Sequence, residues 1–195
     1  SKKINRSPED ITIVAVTKQA TLEDIKQILG LGMLDIGENR LQEAILKYNA
    51  ICDMRYAICP RWHMVGHLQT NKVKEAVKIF DLIHSVDSLR LAKVIDEEAR
   101  KIKKIQEILI EVNTSGESTK FGLKPDEVIK TVIEISSLKN LNLKGLMTIA
   151  PVVDNPEKAR PYFLLLRELR DEINRLSSIV YRLSTLSMGM TDDYQ

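Results

Sequence analysis

The 195-residue sequence predicts an α/β protein whose parallel strands close as a (βα)8 barrel of the TIM type. Strand-like and helix-like stretches alternate along the chain with no long insert between them. The strand-like stretches are apolar and rich in β-branched residues, as in strands buried on both faces of a parallel sheet. Each ends in a polar or glycine-containing signature, whereas a doubly wound open sheet would gather its ligand residues at one switch point.

The first strand runs from Ile11 to Lys18 and reads as buried on both faces. Thr21 with Asp24 three positions on caps a helix from about Leu22 to Leu29, closed by Gly30 and Gly32. Leu34 to Gly37 is a second strand with Glu38-Asn39-Arg40 just past it, and Leu41 to Ile51 is helical. Cys52 to Arg61 has no periodicity and reads as a surface excursion. Trp62 to Val65 is a third strand, followed by Gly66-His67 and a helix to about Ile79. Leu82 to Val86 is a fourth strand, and Ser88 caps a long helix to about Lys104. Ile108 to Asn113 is a fifth, after which Pro125 opens a helix at the position where a fixed φ and a missing amide cost nothing. Leu141 to Met147 is a sixth strand, Asn155-Pro156 starts a helix to about Leu176, and Tyr181 to Leu186 is a seventh.

Composition narrows the function. Hydrophobic residues make up 44% and charged residues 29%, with a net charge of +2 from 29 basic and 27 acidic side chains. That near balance, without a basic stripe interleaved with aromatics, argues against a nucleic-acid binder. The lysines at Lys72 to Lys78 and Lys101 to Lys104 read as solvated helix faces. No apolar run is long enough to span a bilayer, so no membrane partner is expected. Cys52 and Cys59, the two cysteines, lack redox or zinc spacing and read as free thiols of a cytoplasmic protein. His63 and His67 sit four apart, but a strand and Gly66 break the helical geometry a metal pair needs, so no metal site is expected. No Gly-x-Gly-x-x-Gly, Walker or Gly-x-Ser-x-Gly pattern is present.

Two stretches carry chemistry. Lys18 lies where a buried strand ends and a helix begins, the functional edge of such sheets. A desolvated lysine there favours its neutral form, and a neutral amine attacks a carbonyl to give a Schiff base. Ser187-Met-Gly-Met-Thr191 follows the seventh strand and offers hydroxyls and a glycine that lets backbone amides approach an anion, at the end of the barrel where phosphate sites gather. The polar signatures at the other strand ends are Asn39, His63 with Gly66, Ser85, Asn113, and Met147 with Thr148. A Schiff-base lysine beside a phosphate turn fits a class I aldolase acting on a phosphorylated sugar. It also fits a protein that binds pyridoxal 5′-phosphate (PLP), and the aldolase is the weaker fit because aldolase lysines commonly sit on a later barrel strand, whereas Lys18 is on the first.

The chain also resembles a known family, the pyridoxal phosphate homeostasis proteins, single-domain relatives of the alanine racemase N-terminal barrel. The motifs that carry the resemblance are Val14 to Lys18 (VAVTK), Ile36 to Asn39 (IGEN), Trp62 to Lys72 (WHMVGHLQTNK) and His84 to Ser88 (HSVDS). They continue through Val112 to Glu117 (VNTSGE), Lys120 to Leu123 (KFGL), Gly145 to Pro151 (GLMTIAP) and Leu186 to Met190 (LSMGM). The resemblance implies that Lys18 forms the internal aldimine with PLP, and that Asn39 lies beside the cofactor ring. It implies that His63 and Met147 line the pocket, and that Ser187 and Gly189 help hold the phosphate. It further implies one PLP-binding domain over residues 1–195, monomeric, that carries or buffers the cofactor without strong turnover, with PLP-dependent apoenzymes as candidate recipients. An amino-acid racemase is the alternative within the same fold. Family members usually add a helix before the first strand and an eighth strand of the type Arg-Ile-Gly. Against that pattern, the N-terminal helix and eighth strand are expected to be absent or truncated here.

Overall fold

The computed structural model describes residues 7–52, 59–176, 182–191 and 193. Among them, seven strands alternate with six α-helices. The order is β1 (Ala15–Val16), α1 (Leu22–Gly30), β2 (Asp35–Glu38), α2 (Leu41–Cys52), β3 (Arg61–Met64), α3 (Val73–Ile79) and β4 (Leu82–Val86). It continues with α4 (Leu89–Lys101), β5 (Gln106–Glu111), α5 (Pro125–Ile135), β6 (Leu141–Met147), α6 (Arg160–Ile173) and β7 (Thr185–Ser187). The caps form as their residues predict. Thr21 and Asp24 build a reciprocal capping box on α1. The Ser88 hydroxyl accepts from Leu91 N–H on α4, and Pro125 opens α5. Pro156, capped by Asn155, begins a 3-10 turn over Pro156–Ala159 that leads into α6.

All seven strands are parallel and lie in chain order, β1 to β7. A doubly wound sheet would reverse its order partway; this one winds in one direction, as a TIM-type barrel does. The sheet also curls on itself. Its convex side packs Ile36, Trp62, Met64, Ile83, Ile108 and Ile110 with the apolar faces of the helices in one large core. Its concave side holds a separate cluster of Leu82, Leu109 and Met147. A hydrogen bond spans the interior from His84 on β4 to Ser187 on β7.

Three expectations need correction. The run Ile11 to Lys18 forms only a two-residue strand, and Ile13 and Val16 are 66% and 50% exposed. Among the described residues β1 is an edge strand, hydrogen-bonded to β2 alone, and an apolar run is no proof of burial at an edge. Lys104 is not a solvated lysine. Its ammonium donates to the carbonyls of Val77 at 2.8 Å and Phe80 at 2.7 Å, closing the C-terminus of α3, and burial lowers its pKa. Ser85 lies inside β4 and not past its end, fully buried, and its hydroxyl has no hydrogen-bond partner among the described residues; its neighbour His84 carries that strand's interior chemistry. Most of the predicted excursion between Cys52 and Arg61, and Tyr181 at the predicted start of the last strand, lie outside the described residues. The Sγ atoms of Cys52 and Cys59 lie in contact, 2.7 Å apart.

Candidate functional site

The strands' registers stack the interior into layers. At the N-terminal end Glu107 of β5 meets Arg61 in a close ion pair and Lys144 at 3.5 Å, which fills the floor with satisfied charge. The next layer holds His63, aligned with Gly37 on one side and Leu82 on the other. Beyond it the parallel strands all end on one edge of the sheet, the mouth, which carries Lys18 after β1, Asn39 after β2, Met147 ending β6 in register with Ser187, and Gly189 just past β7.

Lys18 stands exposed two residues past Val16, and the peptide before it is pinned from behind. Glu38 is fully buried and accepts from the Thr17 hydroxyl at 2.5 Å and from Lys47 of α2 at 2.7 Å. Lys47 also donates to the Thr17 carbonyl at 2.5 Å. A buried ion pair thus fixes the hydroxyl and the carbonyl of Thr17 and, through them, the start of the lysine's backbone. Asn39 is fixed by close packing. A Cβ on Gly66 would lie 2.3 Å from the Asn39 carbonyl oxygen, so only glycine lets the chain after β3 pass this peptide.

At the β7 end Gly189 has φ +86° and an open flank, the nearest atom to an added Cβ being Asp193 Oδ1 at 3.6 Å. The same Asp193 carboxylate accepts from Met190 N–H. The turn therefore already receives an anionic group on its backbone, as phosphate-binding turns do. The opposite rim is built by His67, stacked on Phe121 at a 3.8 Å centroid distance and paired with Asp87 at 3.3 Å. Asn113 is structural. Its amide donates to the Glu117 and Lys120 carbonyls, and its oxygen accepts from Ser115 and Gly116, which holds the β5–α5 loop in place.

His63 lies beneath the mouth, 2% exposed, with both nitrogens engaged inside the protein. Nε2 is 2.9 Å from Asp35 Oδ1 and Nδ1 is 2.8 Å from His84 Nε2. His84 Nδ1 is in turn 2.8 Å from Ser187 Oγ. Burial pushes both imidazoles below their ordinary pKa, with the Arg61 charge adding to it. His84 falls to about 3, while the Asp35 carboxylate partly offsets the shift at His63. Glu111, buried at the end of β5, is pushed up to about 7 by burial and by the Asp87 carboxylate. Asp35, His84 and Glu111 did not stand out in the sequence. The available signal was alternation: Asp35 with Gly37, His63 with Val65 and Leu82 with His84 share one face each, and polar residues recur on that inner face.

Among the described residues no group of three or more His, Cys, Asp or Glu could hold a metal ion, and no helix is long and apolar enough to cross a membrane. A cavity of about 340 Å³ opens at the other end of the strands beside Arg61 and Asp81, and of the site residues predicted from sequence none lines it.

Residues 2–194 match the family model described as the alanine racemase N-terminal domain. The pyridoxal phosphate homeostasis protein of Aquifex aeolicus is 40% identical over 194 residues, spanning 100% of this chain and 82% of the relative. That of Synechocystis sp. is 36% identical over 194 residues, spanning 100% and 87%. Among solved structures, PipY of Synechococcus elongatus superposes with a TM-score of 0.88 without PLP (31% identity, 99% of this chain, 88% of that one). With PLP bound it superposes at 0.85 (30%, 99% and 87%). An alanine racemase of Clostridium difficile shares the fold, with a TM-score of 0.72 at 19% identity over 94% of this chain and 55% of its own.

Proposed function

Because this chain belongs to the alanine racemase N-terminal domain family, and within it to the pyridoxal phosphate homeostasis proteins, we propose that it binds PLP and buffers or carries it. The observation that carries this reading is the mouth itself. One curled parallel sheet sets a lysine after its first strand and an anion-accepting turn after its seventh above a common interior. PLP, when bound, supplies an aldehyde that a primary amine can engage. Lys18 is the amine in our reading. The Glu38–Lys47 pair orients it through Thr17. Asn39 lies beside the ring, Met147 closes the apolar side, and His63 supports the pocket from the layer below. Ser187 and the backbone at Gly189, whose flank is open, hold the phosphate. The residues fit the group, since the Asp193 carboxylate occupies a turn amide there as an anion of the protein's own.

We read residues 1–195 as one such domain, monomeric and cytoplasmic, with PLP-dependent apoenzymes as the recipients. The PLP-bound state of the relative PipY supports the ligand. Absorbance titration with PLP tests it. The protein is expected to develop the visible band of lysine-bound cofactor at one equivalent, and Lys18→Ala to lose that band. A full band in Lys18→Ala would overturn the assignment.

A further inference from the structure

Four groups from four different strands line up across the interior: Asp35 of β2, His63 of β3, His84 of β4 and Ser187 of β7, joined by hydrogen bonds of 2.9, 2.8 and 2.8 Å. We propose that Asp35, His63 and His84 form a relay that sets the direction of the Ser187 hydroxyl, and that this hydroxyl donates to an anionic ligand only when the relay takes up one proton. The inference rests on the reading of the mouth as a PLP site and concerns how its phosphate is received.

The Asp35 carboxylate only accepts, so His63 Nε2 carries the proton between them. With a neutral ring, His63 Nδ1 is then an acceptor and must receive its bond from His84 Nε2–H. His84 Nδ1 is bare by the same logic and must receive from the Ser187 O–H. Three hydrogen bonds consume three protons, and every bond points toward Asp35. In that state the serine offers a ligand only lone pairs, which a phosphate repels.

One further proton reverses the outer links. His84 Nδ1–H then donates to Ser187 Oγ, His84 Nε2 accepts from His63 Nδ1–H, and the serine O–H is free to point at phosphate. The count is the same whether the added proton resides on an imidazole or on Asp35, so the conclusion does not depend on its final position. The proton comes from solvent.

The surroundings favour the three-proton state without a ligand. Both rings are buried, and Arg61 lies beneath them; burial and that charge hold His84 neutral. The other charges that face the pair are Asp35 on β2 and Asp81 before β4. Glu107 on β5 and Lys144 on β6 complete the floor. A phosphate at the mouth adds further negative charge beside the relay's own carboxylate, and so draws the proton in.

By linkage, uptake of one proton makes the apparent affinity for PLP fall about tenfold per pH unit over the range in which the bound relay is protonated and the free relay is not. Asp35→Asn removes the requirement, because an amide can donate to His63 Nε2 and supply the reversed polarity with no added proton. The test uses the protein with ¹⁵N-labelled histidine at pH 8, where free PLP's phosphate is already a dianion, and compares PLP with pyridoxal, which lacks the phosphate. Without ligand, both His63 and His84 are expected as the Nε2–H tautomer. With PLP, His84 Nδ1 gains a proton, and calorimetry in buffers of different ionisation enthalpy reads about one proton more than with pyridoxal. In Asp35→Asn that excess vanishes while PLP still binds. PLP bound with His84 still in its Nε2–H form, or an undiminished excess in Asp35→Asn, would overturn the relay while leaving the PLP site standing. No binding of PLP at all would overturn both.

Discussion

Lys18 owes its position to residues that never reach the mouth. Glu38 is buried and its partner Lys47 is 13% exposed, so the charge of Glu38 is tolerated only because Lys47 and Thr17 answer it. Lys47→Ala leaves that carboxylate unpaired and is expected to destabilise the fold by about 3 kcal/mol or more. Glu38→Gln combined with Lys47→Met, which removes both charges, is expected to recover most of the loss in urea unfolding. A single Lys47→Ala as stable as the parent would show that the pair holds nothing. The placement of Lys18, Ser187 and Gly189 at strand ends was legible in the sequence because each ends a strand pattern in a turn. The relay was not, because nothing in local pattern pairs Asp35 with His63, 28 positions apart, or His84 with Ser187, 103 positions apart. Only the curling of the sheet brings them together.

At the scale of elements, the joint between β6 and β7 decides whether Ser187 reaches His84 at all. A Cβ on Gly145 would lie 1.8 Å from the Thr185 carbonyl oxygen, a contact neither strand can relieve without separating. Gly145→Ala is therefore expected to cost about 2 kcal/mol or more and to loosen β7 ahead of the rest. Hydrogen exchange checks this: the β7 amides should lose protection while those of β4 and β5 keep theirs. Uniform protection would contradict the joint's role. The predicted β4 and β6 match the observed strands at both ends, since buried parallel strands leave their apolar signature on the chain. The last strand came out later than predicted, at Thr185–Ser187. Its apolar run continues the pattern upstream, while its pairing to Gly145–Met147 is set by register, which composition does not encode.

For the molecule as a whole, two buried groups pull stability in opposite directions with pH. His84 is held near 3 against an ordinary 6.5. Its contribution is present above 6.5 and is lost as pH falls toward 3. Glu111 is pushed up to about 7 from 4.5. Its contribution is present below 4.5 and is lost as pH rises through 7. Between 4.5 and 6.5 the two oppose each other, and the parent's melting temperature should change little. Glu111→Gln removes the second effect. It should be more stable than the parent at pH 8, by up to about 3 kcal/mol, with the gap closing by pH 4.5. Thermal melts at the two pH values check the sign, and a gap that instead widens toward acid would reverse the assignment. The barrel-type winding was legible at this scale because alternation and strand-end signatures reflect topology directly. The exposure of β1 was not, because it depends on what flanks the strand.

The central claim is that PLP is held on Lys18. Borohydride reduction of the PLP-loaded protein, followed by peptide mapping, tests it most directly. The account predicts one pyridoxyl group per chain, on the peptide containing Lys18; a label on another lysine, or on none, would contradict it.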